Sequence, residues 1–253
     1  MSENHRVFSG QGYHSFKSVL TSTRFVCTTS KSVSQTCLLR SYAPTRESPE
    51  LYHTAIIWEA ARATSAALSF FDPIAIGPVG EQFVDGGIGA NNPIRQLWNE
   101  AADIFCGGSG VKLTQSVGTI VSIGAGVTDL VPFGEKPLAV GKTLTSMCYE
   151  TETTASEFHR SHSDLDNGSR YYRFNVDRGI VQKDYEVGRI RDLTFAYLDE
   201  PRVVKAIETC SRTLGKRTVA SLQQKKPSTY TIFVISYTSQ AAWWTIADSV
   251  TFA

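Results

Sequence analysis

The stretch QFVDGGIGANNPI, Gln82 to Ile94, ends an apolar run on an aspartate and follows it with three glycines in four residues. A carboxylate delivered this way can act as a general base. A dry, glycine-walled site without a strong cationic partner raises its pKa toward the working pH, and the absence of side chains lets a substrate approach. The same residues also make an ordinary turn, because an aspartate side chain bonds the backbone two residues on and glycine accepts positive φ. Asp85, with Gly86 and Gly87 shaping its turn, is therefore a candidate for either role, and position alone does not choose.

A base needs a nucleophile, and the 253 residues contain no Gly-x-Ser-x-Gly. Ser109 in CGGSGVKL has Gly107 two residues before it, but Val111 stands where the second glycine belongs. The order there is helix, loop, strand, whereas a nucleophile elbow runs strand, turn, helix. Ser65 lies in an alanine-rich helical stretch, where a small hydroxyl bonds the carbonyl one turn back. Gly10-Gln11-Gly12 is too short and too poor in apolar flanks for an oxyanion or phosphate loop. His159 and His162 are three apart and followed by Asp164, a spacing some metal sites use, yet no third ligand stands nearby and a solvated polar face accounts for them. His5, His14 and His53 form no constellation, so neither a Ser-His nor a Cys-His triad is supported. No metal or cofactor is expected.

The elements that must position Asp85 alternate along the chain. RFVCTT at 24–29 reads as a strand, and YHTAIIWEAARATSAALSFF at 52–71 as a helix whose alanines let it sit close against a sheet. DPIAIGPVGEQFVD predicts a β-hairpin turning between Gly77 and Gly80 and closing on Asp85. Asn92 can then cap, and Pro93 begin, a helix through IRQLWNEAADIF that stops at GGSG. SVGTIVSIGAG, 116–126, fits a strand buried on both faces of a parallel sheet, and YYRFNV ends another at Val176. Two late helices are expected, around VGRIRDLTFAYL and in PRVVKAIETCSRTLG. The second carries Val203, Ala206, Ile207, Cys210 and Leu214 on one stripe, with Gly215 as its stop. Such alternation is the pattern of an α/β layered domain.

Composition bounds the rest. With 42% hydrophobic and 19% charged residues the chain buries a core, and a net charge of +1 gives no electrostatic reason to expect nucleic acid. The five cysteines are odd in number, widely spaced and without a Cys-x-x-Cys, so they read as reduced thiols in a cytoplasmic protein. The apolar tail YTIFVISYTSQAAWWTIADSV is interrupted by Ser236, Thr238, Ser239, Gln240 and Asp248, so no transmembrane segment is expected. Packing on the domain, contact with a membrane surface and lack of structure all remain open for that tail.

IIWEAARATSAALSFFDPI, FVDGGIGANNPI, VSIGAG and YYRFNV occur in the order and approximate spacing found in patatin-like phospholipases, particularly the fungal members. The chain resembles the carboxy-terminal part of that family's domain. The resemblance covers roughly 24–217, leaving 1–23 as an unmatched amino-terminal segment and 218–253 as an unmatched tail. It implies a three-layer α/β fold with a mainly parallel central sheet, here incomplete on its amino-terminal side, and lipid acyl hydrolysis by a Ser-Asp dyad without a cofactor. Asp85 falls on the dyad aspartate. The implied partner is a lipid or acyl-ester surface, with a cytoplasmic location that extends to the membrane periphery.

The chain departs from the family in lacking both the serine motif and the Gly-Gly-Gly loop that supplies oxyanion donors. The 23 residues ahead of the resemblance are fewer than the roughly 30 that one strand-crossover-strand unit takes. Two readings follow. In one, the chain is the Asp-bearing part of a lipid acyl hydrolase, inactive alone and completed by an amino-terminal half or another domain. In the other, it is a non-catalytic lipid-binding or protein-interaction module derived from that fold. A third idea, Asp85 as base for another reaction, has no companion residues. Absence of the amino-terminal strands predicts open strand edges on Gly118–Ile123 or its neighbours.

Overall fold

The computed structural model describes residues 23–31, 35–44, 49–67, 71–107, 112–127, 139–167, 169–176, 187–223, 230–235 and 244–247. Ser109 and the Gly10–Gly12 stretch lie outside them. The β-branched and aromatic run TRFVCTTS forms β1 (Thr23–Ser30), which pairs antiparallel with β2 (Gln35–Arg40) from Phe25 opposite Arg40 to Ser30 opposite Gln35.

The single helix expected over 52–71 is two. α1 (Glu50–Thr54) and α2 (Ile57–Thr64) are separated by an extended Ala55 and Ile56, with ψ of 135° and 164°. The cluster of β-branched residues around Ile56 favours that break, and Glu59 stabilises the restart by accepting the Ile56 N–H at 3.0 Å. At its other end α2 stops at Thr64, where the Ser65 hydroxyl donates to the Ala61 carbonyl at 2.7 Å. Ala60, Ala63 and Ala66 are fully buried, so the alanines do allow close approach to the sheet.

β3 (Ile74–Ile76) and β4 (Glu81–Asp85) form the antiparallel hairpin read from the sequence. Its turn depends on Gly77 and Gly80 at φ of +79° and +65°, and the Gly80 N–H donates to the Gly77 carbonyl at 3.1 Å. A short helix, α3 (Gly87–Ala90), precedes α4 (Ile94–Cys106), α5 (Leu113–Ser116) and β5 (Val117–Ile123). Next come the long α6 (Ala139–Ser161), α7 (Ser163–Asn167) and β6 (Tyr171–Phe174). α8 (Val187–Leu198) and α9 (Pro201–Gln223) lead to β7 (Tyr230–Ile235) and β8 (Trp244–Ala247). Gly215 does not stop α9: an interior glycine costs a helix only about 1 kcal/mol, and helix formers follow it.

These strands make one mixed sheet in the order β3-β4-β1-β8-β7-β5-β6, with β2 on the other edge of β1. Parallel pairing is local to β5 and its neighbours β6 and β7. β1–β2 and β3–β4 are antiparallel, as their short connections allow, and β1–β4, β7–β8 and β8–β1 are antiparallel as well. β5 itself is paired on both edges, while its neighbour β6 stands at the end of the sheet with one edge unpaired among the described strands, so the expected open edge falls on the neighbour. β7, from the tail whose role the sequence left open, covers one side of β5 and β6 the other.

Alternation along β5 shows the layers. Ile120 packs with Leu97, Ala101 and Phe158 of α4 and α6, whereas Val121 packs with Tyr172 and with Cys210 of α9. In the same way Leu38 meets the α4 side, while Leu39 and Val26 meet Ala60 and Ala63 of α2. Helices on both faces make the domain a three-layer α/β fold. Arg40, nearly fully buried at the end of β2, ties the sheet to α4 through a bidentate pair with Glu100 at 2.7 and 2.8 Å, and the Tyr42 hydroxyl donates to the same carboxylate. Among the described residues no helix is long and apolar enough to cross a membrane.

Candidate functional site

β4 delivers Asp85 to the sheet's end, opposite Thr28 of β1. The Asp85 N–H donates to the Ala66 carbonyl at 3.0 Å, so the alanine segment that leaves α2 closes directly on the aspartate's backbone. Its side chain folds back on the turn. Oδ1 accepts the Gly87 N–H at 2.6 Å, the short-range bond an aspartate in a glycine turn is built to make.

Gly86 and Gly87 keep negative or ordinary backbone angles, with Gly86 at φ −70°, and the positive φ falls on Gly89 at +97°. What Gly87 contributes is space. A Cβ there would lie 3.1 Å from Asp85 Oδ1 and 3.5 Å from Asn91 Oδ1, so the two oxygens converge on the bare α-carbon.

Burial pushes the Asp85 carboxyl above its ordinary value, and the Gly87 amide opposes that shift. The sign of its effect on stability follows. A carboxyl whose pKa is higher folded than unfolded favours the fold fully below its unfolded pKa, and that contribution is lost as pH rises through the folded pKa. Asp85→Asn, which keeps the shape and the acceptor for Gly87, is therefore expected to raise the melting temperature at neutral pH. The gain should shrink on acidification and vanish below the ordinary carboxylate range. Equal melting curves for the two proteins across that range would contradict the shift.

Beyond Asp85 the turn is anchored in α6. Asn91 Nδ2 donates to Thr151 Oγ1 at 2.7 Å and Asn92 Nδ2 to the Thr151 carbonyl at 3.1 Å, all three residues being buried. Asn92 Oδ1 also accepts the Ile94 N–H at 3.4 Å, but α4 starts at Ile94 with Pro93 in the cap position, one residue later than the sequence suggested. The next residue of α6, Glu152, accepts from Arg173 and Asn175 at 2.8 Å each. Arg173 donates to Ser122 at 3.0 Å, and Asn175 Oδ1 accepts the Gly126 N–H at 2.7 Å, which fixes the loop after β5. Gly124 is glycine for lack of room, since a Cβ would fall 2.2 Å from Asn175 Oδ1.

Ser65 adjoins this turn through Ala66, which accepts the Asp85 N–H, whereas His159, His162 and Asp164 lie at the end of α6 and the start of α7. Ser65 spends its hydroxyl on Ala61, and Thr28 beside the site spends its own on the Val84 carbonyl at 2.6 Å. His162 stacks on Phe158 with ring centroids 4.3 Å apart, meets Trp98 edge-on at 4.5 Å and uses Nδ1 on the Phe158 carbonyl, while His159 and Asp164 are exposed. Packing, more than a solvated face, accounts for His162. Among the described residues no group of three His, Cys, Asp or Glu side chains is placed to hold a metal ion.

Thr151 was not legible as part of the site. The available signal was the spacing Thr151, Ala155, Phe158, His162, a helical stripe hidden in polar sequence.

Comparison with curated proteins gives no match. Against family models, residues 4–98 match the patatin-like phospholipases. That stretch contains β1 to α3, the start of α4, the Asp85-Gly86-Gly87 turn and Asn91-Asn92-Pro93, and over it the chain is similar to that family; the match begins at residue 4 and ends at 98, whereas the resemblance read from the sequence ran over roughly 24–217.

Proposed function

We propose that this chain carries the base of a lipid acyl hydrolase's Ser-Asp dyad, Asp85, and that these 253 residues alone are not hydrolytic. The observation that carries the reading is the chemistry of one side chain: an Asp-Gly-Gly carboxylate, within the patatin-like match, whose pKa burial raises. In a two-residue dyad the carboxylate takes the serine proton directly, with no imidazole between, so a raised pKa is the property the step needs. Gly87 holds Oδ1, and Oδ2 takes the proton. Gly86 and Gly87 add no side chains of their own beside the carboxylate. The substrate class is an acyl ester presented by a lipid surface. The serine and the oxyanion donors come from a patatin-like amino-terminal half outside these residues, because no Gly-x-Ser-x-Gly lies within them.

The chain purified by itself is expected to leave p-nitrophenyl esters and phospholipids intact and to take up no fluorophosphonate, which reacts only with an activated serine. Mass spectrometry after exposure to the probe checks this. Stoichiometric labelling of any serine, Ser65 or Ser109 included, would show that the chain builds its own nucleophile and would overturn the reading.

A further inference from the structure

Thr151 stands on α6, far in sequence from the Asp-Gly-Gly turn, yet it receives both asparagines that follow that turn. Asn91 Nδ2 donates to its hydroxyl at 2.7 Å and Asn92 Nδ2 to its carbonyl at 3.1 Å. The three residues are 3 to 5% exposed, so these bonds form where water does not compete for them. With its amide nitrogen committed to α6, Asn91 turns Oδ1 back toward Gly87, 3.5 Å from where a Cβ would stand and on the same α-carbon that Asp85 Oδ1 faces. α3, between Gly87 and Ala90, is a single turn too short to hold its own direction. Packing of Ala90 in the core holds its middle, and its ends are fixed by the Gly87 amide on Asp85 and by Asn91 on Thr151.

We infer that Thr151 is a positioning residue for Asp85. By gripping Asn91 and Asn92 it fixes the turn in which the Gly87 N–H orients the carboxylate, so that α6 decides where the base's free oxygen points. This rests on the reading of Asp85 as a base for its functional meaning, but the coupling itself is a property of the folded chain. Glu152, the next residue, joins the same helix to Arg173 and Asn175 at the ends of the parallel strands. One stretch of α6 thereby holds the Asp85 turn and the loop after β5 in a fixed relation.

The test uses the whole chain with 13C-labelled aspartate, following the Asp85 carboxyl carbon through a pH titration and the exchange of the Gly87 amide hydrogen. Thr151→Val keeps the shape but removes the acceptor of Asn91. It is expected to speed Gly87 exchange by about tenfold, in keeping with an unmade buried bond, and to move the Asp85 midpoint toward the ordinary carboxylate value as water enters the turn. Thr151→Ser, which restores the hydroxyl, should return both readouts to those of the parent. If the valine protein does not fold, Thr151→Ala leaves room for relaxation and is read in the same way. A lowered melting temperature with unchanged Gly87 exchange and an unchanged Asp85 midpoint would reduce Thr151 to a packing residue and sink the inference. A parent Asp85 that titrates at the ordinary value would instead count against the base reading, while the exchange arm still decides the coupling.

Discussion

Asp85→Asn, introduced into the chain after it has been joined to a patatin-like amino-terminal half bearing the glycine loop and Gly-x-Ser-x-Gly, is expected to cut esterase kcat/KM by about 10²- to 10⁴-fold, the range for loss of a general base. Asparagine preserves the acceptor that Gly87 donates to at 2.6 Å and so preserves the turn, but it cannot take the serine proton. The variant therefore separates chemistry from folding. Burial raises the carboxyl's pKa, which makes the same variant more stable than its parent at neutral pH, so lost activity accompanied by a higher melting temperature is the signature of a base and not of damage. If Asp85 were only a turn former, activity would depend on the turn and not on the carboxylate. The hybrid with asparagine would keep the activity of its parent, while Gly87→Val would cripple it, because a side chain at Gly87 meets Asp85 Oδ1 at 3.1 Å. An active asparagine hybrid ends the catalytic reading of this residue. A hybrid that folds with Asp85 intact but shows no hydrolysis removes the complementation on which that reading depends.

What the sequence disclosed follows from which interactions are local. Val117–Ile123 is a nearly continuous run of β-forming residues and lies between two parallel neighbours, and the Gly77–Gly80 turn is dictated by φ values that few other residues adopt. Asp85's place at the end of β4 came from the same hairpin. Features decided by distant contacts were not legible. α6 reads AVGKTLTSMCYETETTASEFHRS, with threonines and glutamates that by themselves argue for no element, and its buried positions include Thr151, whose partners lie some 60 residues away. The break between α1 and α2 depends on the extended Ala55 and Ile56, and the continuation of α9 through Gly215 on the helix formers that follow it, so periodicity misjudged both ends. The tail was hardest of all, because a strand's partners cannot be read from the strand.

That tail carries the other large expected effect. The β1–β4 part of the sheet and the β5–β6 part are not paired to each other directly: β7 binds β5 at six register positions, β8 binds β1 at three, and β7 and β8 bind one another. Removing residues 227–253 would bare the edge of β5 along Val117–Ile123 and that of β1 at Thr23–Phe25. At about 0.2–1 kcal/mol for each cross-strand pair, the loss is several kcal/mol, a large share of the roughly 5–15 kcal/mol that stabilises a domain. The truncated chain is expected to lose its cooperative melt and to form oligomers through the exposed edges, as seen by calorimetry and light scattering. Ile232→Pro should act in the same direction with one substitution, because Ile232 pairs with Ile120 on one side and Ile246 on the other, and proline removes a donor from an interior strand. Adding a peptide of residues 227–253 to the truncated chain should restore the monomer if sheet closure is the cause, since the peptide supplies both strands without a covalent link. A truncated chain that stays monomeric and melts within a degree or two of the full one would mean that the two parts of the sheet are held by their helices alone. The tail strands would then be accessories. The register argues otherwise: β4 ends at Asp85 opposite Thr28, and β8 begins at Trp244 opposite Phe25, so the tail continues the edge of β1 that the candidate base occupies. Loss of the tail should therefore also raise solvent access to Asp85 and bring its titration toward the ordinary carboxylate range, a change that the carboxyl carbon resonance reports even in a partly ordered chain.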